Sequence, residues 1–206
     1  MRASILRAIA ASLLISLVAI SPVCLAARQT RDARPGPRVL LAPTEPEIRT
    51  GLEALLSTPD VMLATDFYAI DTRFVPSVSM DAVVVTATDS QSTRKGLRIQ
   101  VRDDGKPAAH VGVSFVDIEE IPGLAAALTS MVEVASKWTL LDEQRATQLS
   151  FTTTGAFHLD IHAIGRTPRA SISGGVLDPV TRPVELVEFG ALRQAVDQAL
   201  AILNGK

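Results

Sequence analysis

Leu97-Arg98-Ile99-Gln100-Val101-Arg102 is the stretch from which the fold can be read. Apolar and polar residues alternate strictly, and successive side chains of a strand point to opposite faces, so Leu97, Ile99 and Val101 should enter a core while Arg98, Gln100 and Arg102 meet water. Asp103-Asp104-Gly105-Lys106-Pro107 then has the composition of a turn. Val111, Val113 and Phe115 supply a partner strand, and Asp117 with Glu120 three residues on matches a capping box that opens a helix. On that helix Ile121, Leu124, Leu128, Met131, Ala135 and Trp138 share one face, with Pro122 acceptable in the first turn. The segment reads as a β-hairpin followed by a helix.

Upstream, Ile48, Leu52 and Leu55 are spaced for a short amphipathic helix over residues 44–56, with Thr44 as its cap. Strands are expected at residues 67–74 and 82–88, the latter rich in β-branched valine. Downstream the same order returns. Residues 148–153 and 157–164 form a hairpin across Thr154-Gly155, and residues 169–173 give another strand. Residues 184–186 then lead into a helix through Phe189, Leu192, Val196, Leu200 and Leu203 that stops at Gly205. A shift of 71 positions carries Phe115, Asp117, Ile118, Ile121, Ala125 and Val132 onto Leu186, Glu188, Phe189, Leu192, Val196 and Leu203. The residue types agree, as an internal duplication requires.

The expected fold is therefore α+β. Two ββββα-like pseudo-repeats, about residues 66–138 and 147–206, follow a short N-terminal helix, with each antiparallel sheet covered by a C-terminal helix. Twin ββββα units resemble, in topology, the single-strand nucleic-acid-binding folds of the PUR and Whirly type. The resemblance spans about residues 67–206 and rests on no diagnostic motif, so no residue role is carried over. Phe151-Thr152-Thr153-Thr154-Gly155-Ala156-Phe157, Ser171-Ile172-Ser173-Gly174 and the closing helix are also similar to a pattern in exported bacterial proteins of uncharacterised activity.

The first 27 residues have the layout of an export signal. Arg2 and Arg7 precede an uncharged run from Ala8 to Ala27 that ends in small residues after Pro22. The competing reading is a retained anchor, since about 20 apolar residues span a bilayer. Lipid attachment at Cys24 is disfavoured by Val23, which is not the small residue expected before a lipidated cysteine. Arg28, Arg31, Arg34 and Arg38 follow the run, on the side where basic residues usually oppose translocation. Residues 28–43, basic and proline-rich, read as a flexible lead, and residues 44–206 as one α+β domain.

Cleavage after Ala26 or Ala27 removes Cys24, the one cysteine, and with it disulfides, thiolate chemistry and Cys-ligated zinc. The formal charge moves from 20 − 22 = −2 to 18 − 22 = −4 when Arg2 and Arg7 leave. A negative chain with 4% aromatic residues lacks the basic groove and stacking platforms of single-strand nucleic-acid binding, so nucleic acid is disfavoured as a partner. No dinucleotide fingerprint, phosphate loop, nucleophile elbow or His-Glu-x-x-His sequence is present, and no cofactor is implied.

Chemistry is best represented by His158-x-Asp160-x-His162. A side-chain period of two puts all three on one strand face. Neighbouring members lie about 6.6 Å apart and the outer pair about 13 Å, so a straight strand offers two ligands to one ion. A third must come from elsewhere, from His110 or from Asp117, Glu119 and Glu120. A solvated face of an amphipathic strand explains the same residues. Arg94, Lys95, Arg98 and Arg102 form a basic stripe able to receive an anion or an acidic partner, or simply a solvated strand face. Residues 171–175 lack the spacing and lysine of a phosphate loop and read as a strand ending in a Gly-Gly turn. The function expected is an exported, non-catalytic binding or accessory module of the cell envelope, acting on an envelope protein or small ligand. A metal-dependent enzyme or metal carrier using His158, Asp160 and His162 is the alternative.

Overall fold

Eight strands and three α-helices follow one another in the order α1, β1–β4, α2, β5–β8, α3, in a computed structural model that describes residues 50–103, 110–140, 146–164 and 167–206. The leader, the basic lead, Thr44, Ile48 and most of the 103–107 turn lie outside the described residues. Among the described residues no helix is long and apolar enough to cross a membrane.

The first sheet has the order β1-β2-β3-β4, with β1 at Leu63–Ile70, β2 at Val78–Ala87, β3 at Thr93–Asp103 and β4 at His110–Asp117. The second has the order β5-β6-β7-β8, with β5 at Ala146–Thr152, β6 at His158–Ile164, β7 at Thr167–Gly174 and β8 at Val180–Val184. All six strand pairings are antiparallel. Two repeated ββββα units are therefore present. The alternation in β3 is realised: Leu97, Ile99 and Val101 are fully buried, and Arg102 on the opposite face is exposed.

Helix α2 spans Ile121–Ser136 and continues into a 3-10 turn at Lys137–Leu140; α3 spans Leu186–Asn204. Ile121, Leu124, Leu128, Met131, Ala135 and Trp138 are all buried, as their spacing requires. The shift of 71 also maps buried Ile121, Leu124, Ala125 and Leu128 onto buried Leu192, Ala195, Val196 and Ala199. Helix α3 lies against β1, β2 and β3, and α2 packs along α3, while the 3-10 turn after α2 meets β7. One continuous core thus takes side chains from both sheets and both long helices.

Several boundaries differ from those read in sequence. β1 runs over residues 63–70, because Asp71 turns the chain: Arg73 N–H donates to Asp71 Oδ1 at 3.1 Å, and Phe74 is left 71% exposed beyond the strand. β8 lies at residues 180–184, upstream of the expected residues 184–186, and Leu186 is already helical. Pro183 obscures that strand in sequence and is tolerated because β8 is an edge. Helix α1, Gly51–Leu56, is capped by Thr50. Thr50 Oγ1 accepts Glu53 N–H at 3.0 Å, and Glu53 Oε2 accepts Thr50 N–H at 2.9 Å.

The Asp117–Glu120 capping box does not form, and α2 begins without a side-chain cap. Asp117 instead reaches across 66 residues to α1, accepting Gly51 N–H at 2.6 Å and Leu52 N–H at 3.0 Å. Glu120 Oε1 accepts the backbone N–H of Thr154 at 3.0 Å and its hydroxyl at 2.5 Å, tying the start of α2 to the β5–β6 turn. Both carboxylates join parts of the chain distant in sequence.

β4 turns Val111, Val113 and Phe115 away from the main core. Its register places Val116, Ser114 and Gly112 opposite core residues Leu97, Ile99 and Val101, so these small residues face the interior and Val111, Val113 and Phe115 face outward. The interior face has no room for valine, because a Cβ on Gly112 would stand 1.9 Å from the carbonyl oxygen of Gly174. Buried Ser114 fits there and accepts Gly175 N–H on its Oγ at 3.0 Å. Phe115 joins Leu52, Leu55, Leu63, Val83 and Val85 in a small second core beneath α1.

Candidate functional site

β4 is an edge strand, and its outward valines line a groove on the surface. Val111 is 38% and Val113 36% exposed. Helix α1 rises on one side and contributes Glu53 and Ser57; the β7–β8 loop rises on the other and contributes Gly175, Val176, Leu177 and Asp178. The groove between them measures about 370 Å³. That lies within the range of ligand sites, which combine apolar walls with a few placed polar groups.

Each wall is held by a contact already described. Asp117 fixes the start of α1. Ser114 and the missing Cβ of Gly112 seat the β7–β8 loop, where Gly175 adopts φ +104°, a conformation that glycine takes at little cost. His110 Nε2 meets Asp178 Oδ2 at 2.7 Å, joining the strand to the loop at the rim. Leu177, at the tip of that loop, is 74% exposed. Among the described residues, the ionisable side chains that line the groove are Glu53, Asp178 and His110.

The backbone of β4 adds a second kind of binding group. Ile118 N–H donates to Lys95 O at 3.1 Å, which sets the alternation of the β3–β4 ladder. Residues 110, 112, 114 and 116 turn their backbone groups toward β3, and Val111 and Val113 turn theirs to the open edge. Among the described residues, no turn or loop backbone group bonds to Val111 or Val113.

His158, Asp160 and His162 lie on the outward face of β6, alternating with buried Leu159, Ile161 and Ala163. Each faces a polar neighbour on β5: Thr152, Ser150 and Gln148. Asp160 Oδ1 accepts the Ser150 hydroxyl at 2.5 Å and Gln148 Nε2 at 3.4 Å, and His158 Nδ1 lies 2.7 Å from Thr152 Oγ1. His110 is at the groove rim, Asp117 bonds to α1 and Glu120 bonds to the β5–β6 turn, so none of them joins the β6 strip. Among the described residues no group of three His, Cys, Asp or Glu side chains is placed to hold a metal ion.

The basic stripe is divided by the same strand alternation. Lys95 sits on the opposite face of β3 from Arg94, Arg98 and Arg102, and its Nζ bonds to Leu203 O on α3 at 3.3 Å. Arg98 is half-buried, paired with Asp81 at 2.8 Å, and lies 4.2 Å over the Phe67 ring. Arg102 remains exposed at the end of the face.

The groove itself was not singled out from sequence. Outward valines beside a glycine on an edge strand are its only local trace, and the loop that walls it begins 61 residues beyond Ser114. No family model, curated protein or solved structure matches this chain.

Proposed function

We propose that this protein is an exported, non-catalytic binding module of the cell envelope, and that its ligand lies in the groove over β4. Export is supported by the charged head and uncharged run of residues 1–27. Binding is supported by one observation above the others: a groove of about 370 Å³ with an apolar floor and a polar rim, between walls fixed by Asp117 and Ser114.

A neutral solvatochromic dye tests the binding role. It should bind the purified protein with a blue shift, and Leu177→Asp should abolish the signal while leaving the thermal midpoint unchanged, because Leu177 is solvent-exposed and makes no core contact. Failure of the dye to bind, or binding unaffected by Leu177→Asp, refutes the groove as the site. Fractionation with mass analysis tests the compartment: a periplasmic or secreted species lacking about 26 or 27 residues supports export, and an intact cytosolic chain refutes it.

A further inference from the structure

We infer that the protein pairs with a second copy of itself through β5, the two β5 strands lying antiparallel across a two-fold axis and joining the second sheets of both copies into one. The inference is independent of the groove and its ligand. An edge strand exposes unpaired backbone groups, and folded chains guard such edges with charge, proline or bulges. Among the described residues β1 carries Asp66, β4 carries Asp117, and β8 carries Arg182 and Pro183. The fourth edge is different. β5, Ala146-Thr147-Gln148-Leu149-Ser150-Phe151-Thr152, has no charged residue and no proline along its length.

The backbone pattern sets the register of the pair. Thr153 N–H donates to Phe157 O at 3.0 Å, so the odd-numbered residues of β5 bond to β6, while Ala146, Gln148, Ser150 and Thr152 turn their backbone groups to the open edge. Among the described residues no turn or loop backbone group bonds to these four. A two-fold axis at Leu149 sets Gln148 opposite Ser150 of the second copy and Ala146 opposite its Thr152, and each such pair exchanges both backbone bonds. Leu149 then meets Leu149 of the second copy in a close, non-hydrogen-bonded pair, and Phe151 meets its Thr147. Leu149 and Phe151 pack on the main core yet are only half-buried, so the same register covers them. A two-fold contact requires a surface complementary to itself, and an uncharged strand meets its own copy without repulsion. Two strands of seven residues form a contact at the small end of specific interfaces, so the dissociation constant should be about 10 to 100 μM.

Sedimentation of the purified protein over a concentration series should show a monomer–dimer equilibrium in that range. Ser150→Pro removes an N–H that faces the edge and none that faces β6, so the strand keeps its place in the sheet. It should weaken association about tenfold or more, with the thermal midpoint of the diluted monomer unchanged. Register is read by oxidative cross-linking in a Cys24→Ala background. Leu149→Cys should link two copies, because that position lies opposite itself across the axis at a separation a disulfide spans. Thr152→Cys, which lies opposite Ala146 of the second copy, should not. A chain that stays monomeric at about 1 mM, association unchanged by Ser150→Pro, or cross-linking at position 152 as efficient as at 149 overturns the pairing. Should Ser150→Pro fail to fold, sedimentation of the parent and the two cysteine variants decide the matter.

Discussion

The Asp117 carboxylate accepts the Gly51 N–H at 2.6 Å and the adjacent Leu52 N–H at 3.0 Å, so the last residue of β4 caps a helix that begins 66 residues earlier. Helix α1 has six residues, too few to persist in water without tertiary support. Asp117→Ala should lower stability by about 1 to 2 kcal/mol. It should also accelerate amide exchange in α1 well before exchange in α2. Equal protection of α1 in the variant and the parent would refute the capping role.

Gly112 and Gly190 should respond to alanine with opposite signs. A Cβ at Gly112 meets the Gly174 carbonyl oxygen at 1.9 Å, whereas a Cβ at Gly190 in α3 meets nothing within 4 Å. Gly112→Ala is expected to cost about 3 kcal/mol or more through backbone displacement. Gly190→Ala is expected to stabilise the protein by about 0.5 to 1 kcal/mol, since glycine in an exposed helix interior carries the larger entropy loss. Urea unfolding midpoints of the two variants check both signs.

Arg98 couples two neighbours on the outer face of the first sheet. Its guanidinium contacts Asp81 at 2.8 Å and the Phe67 ring at 4.2 Å, with both charged side chains largely shielded from water. A double-mutant cycle between Arg98→Leu and Asp81→Ala should return a coupling of about 1 kcal/mol. Phe67→Ala should remove a smaller amount through the ring contact. A coupling below about 0.3 kcal/mol would place this ion pair with the inert surface pairs.

Asp71 supplies a pH test. Side-chain hydrogen bonding from Arg73, at 2.8 Å and 3.0 Å, holds its carboxyl below the ordinary carboxylate value, and Arg73 is raised in turn. A carboxyl lowered in the folded state contributes fully above its unfolded pKa and loses that contribution as pH falls through the folded one. Both groups are exposed, so the effect belongs to the turn and not to global stability. In a carbon-detected titration Asp71 should have a depressed midpoint that rises in Arg73→Ala; an unchanged midpoint refutes the pairing.

The legible part of the fold is the part governed by local periodicity. Leu97, Ile99 and Val101 are buried as their alternation demands, and so is the Ile121-to-Trp138 face of α2. Val111, Val113 and Phe115 alternate equally well, yet point away from the main core. A period of two separates two faces without saying which is inside. That choice was made by β7 and β8, whose backbone leaves room only for Gly112 and Ser114. Asp117 and Glu120 show the same limit: their spacing is that of a local cap, and their partners Gly51 and Thr154 are distant. Thr50 and Glu53, in contrast, form a true capping box whose Thr-x-x-Glu pattern stands in the sequence. The groove depends on two such distant choices, the wall set by Asp117 and the loop seated by Ser114.

Because α3 rests on β1, β2 and β3, the earliest strands of the domain wait for the last 20 or so residues before their apolar side is sheltered. A chain synthesised N-terminus first therefore cannot shelter its first sheet while the tail is still being made. Stopping synthesis at Glu185 should leave a sticky, protease-sensitive fragment, and assembly of the whole molecule becomes a single late event at the C-terminus.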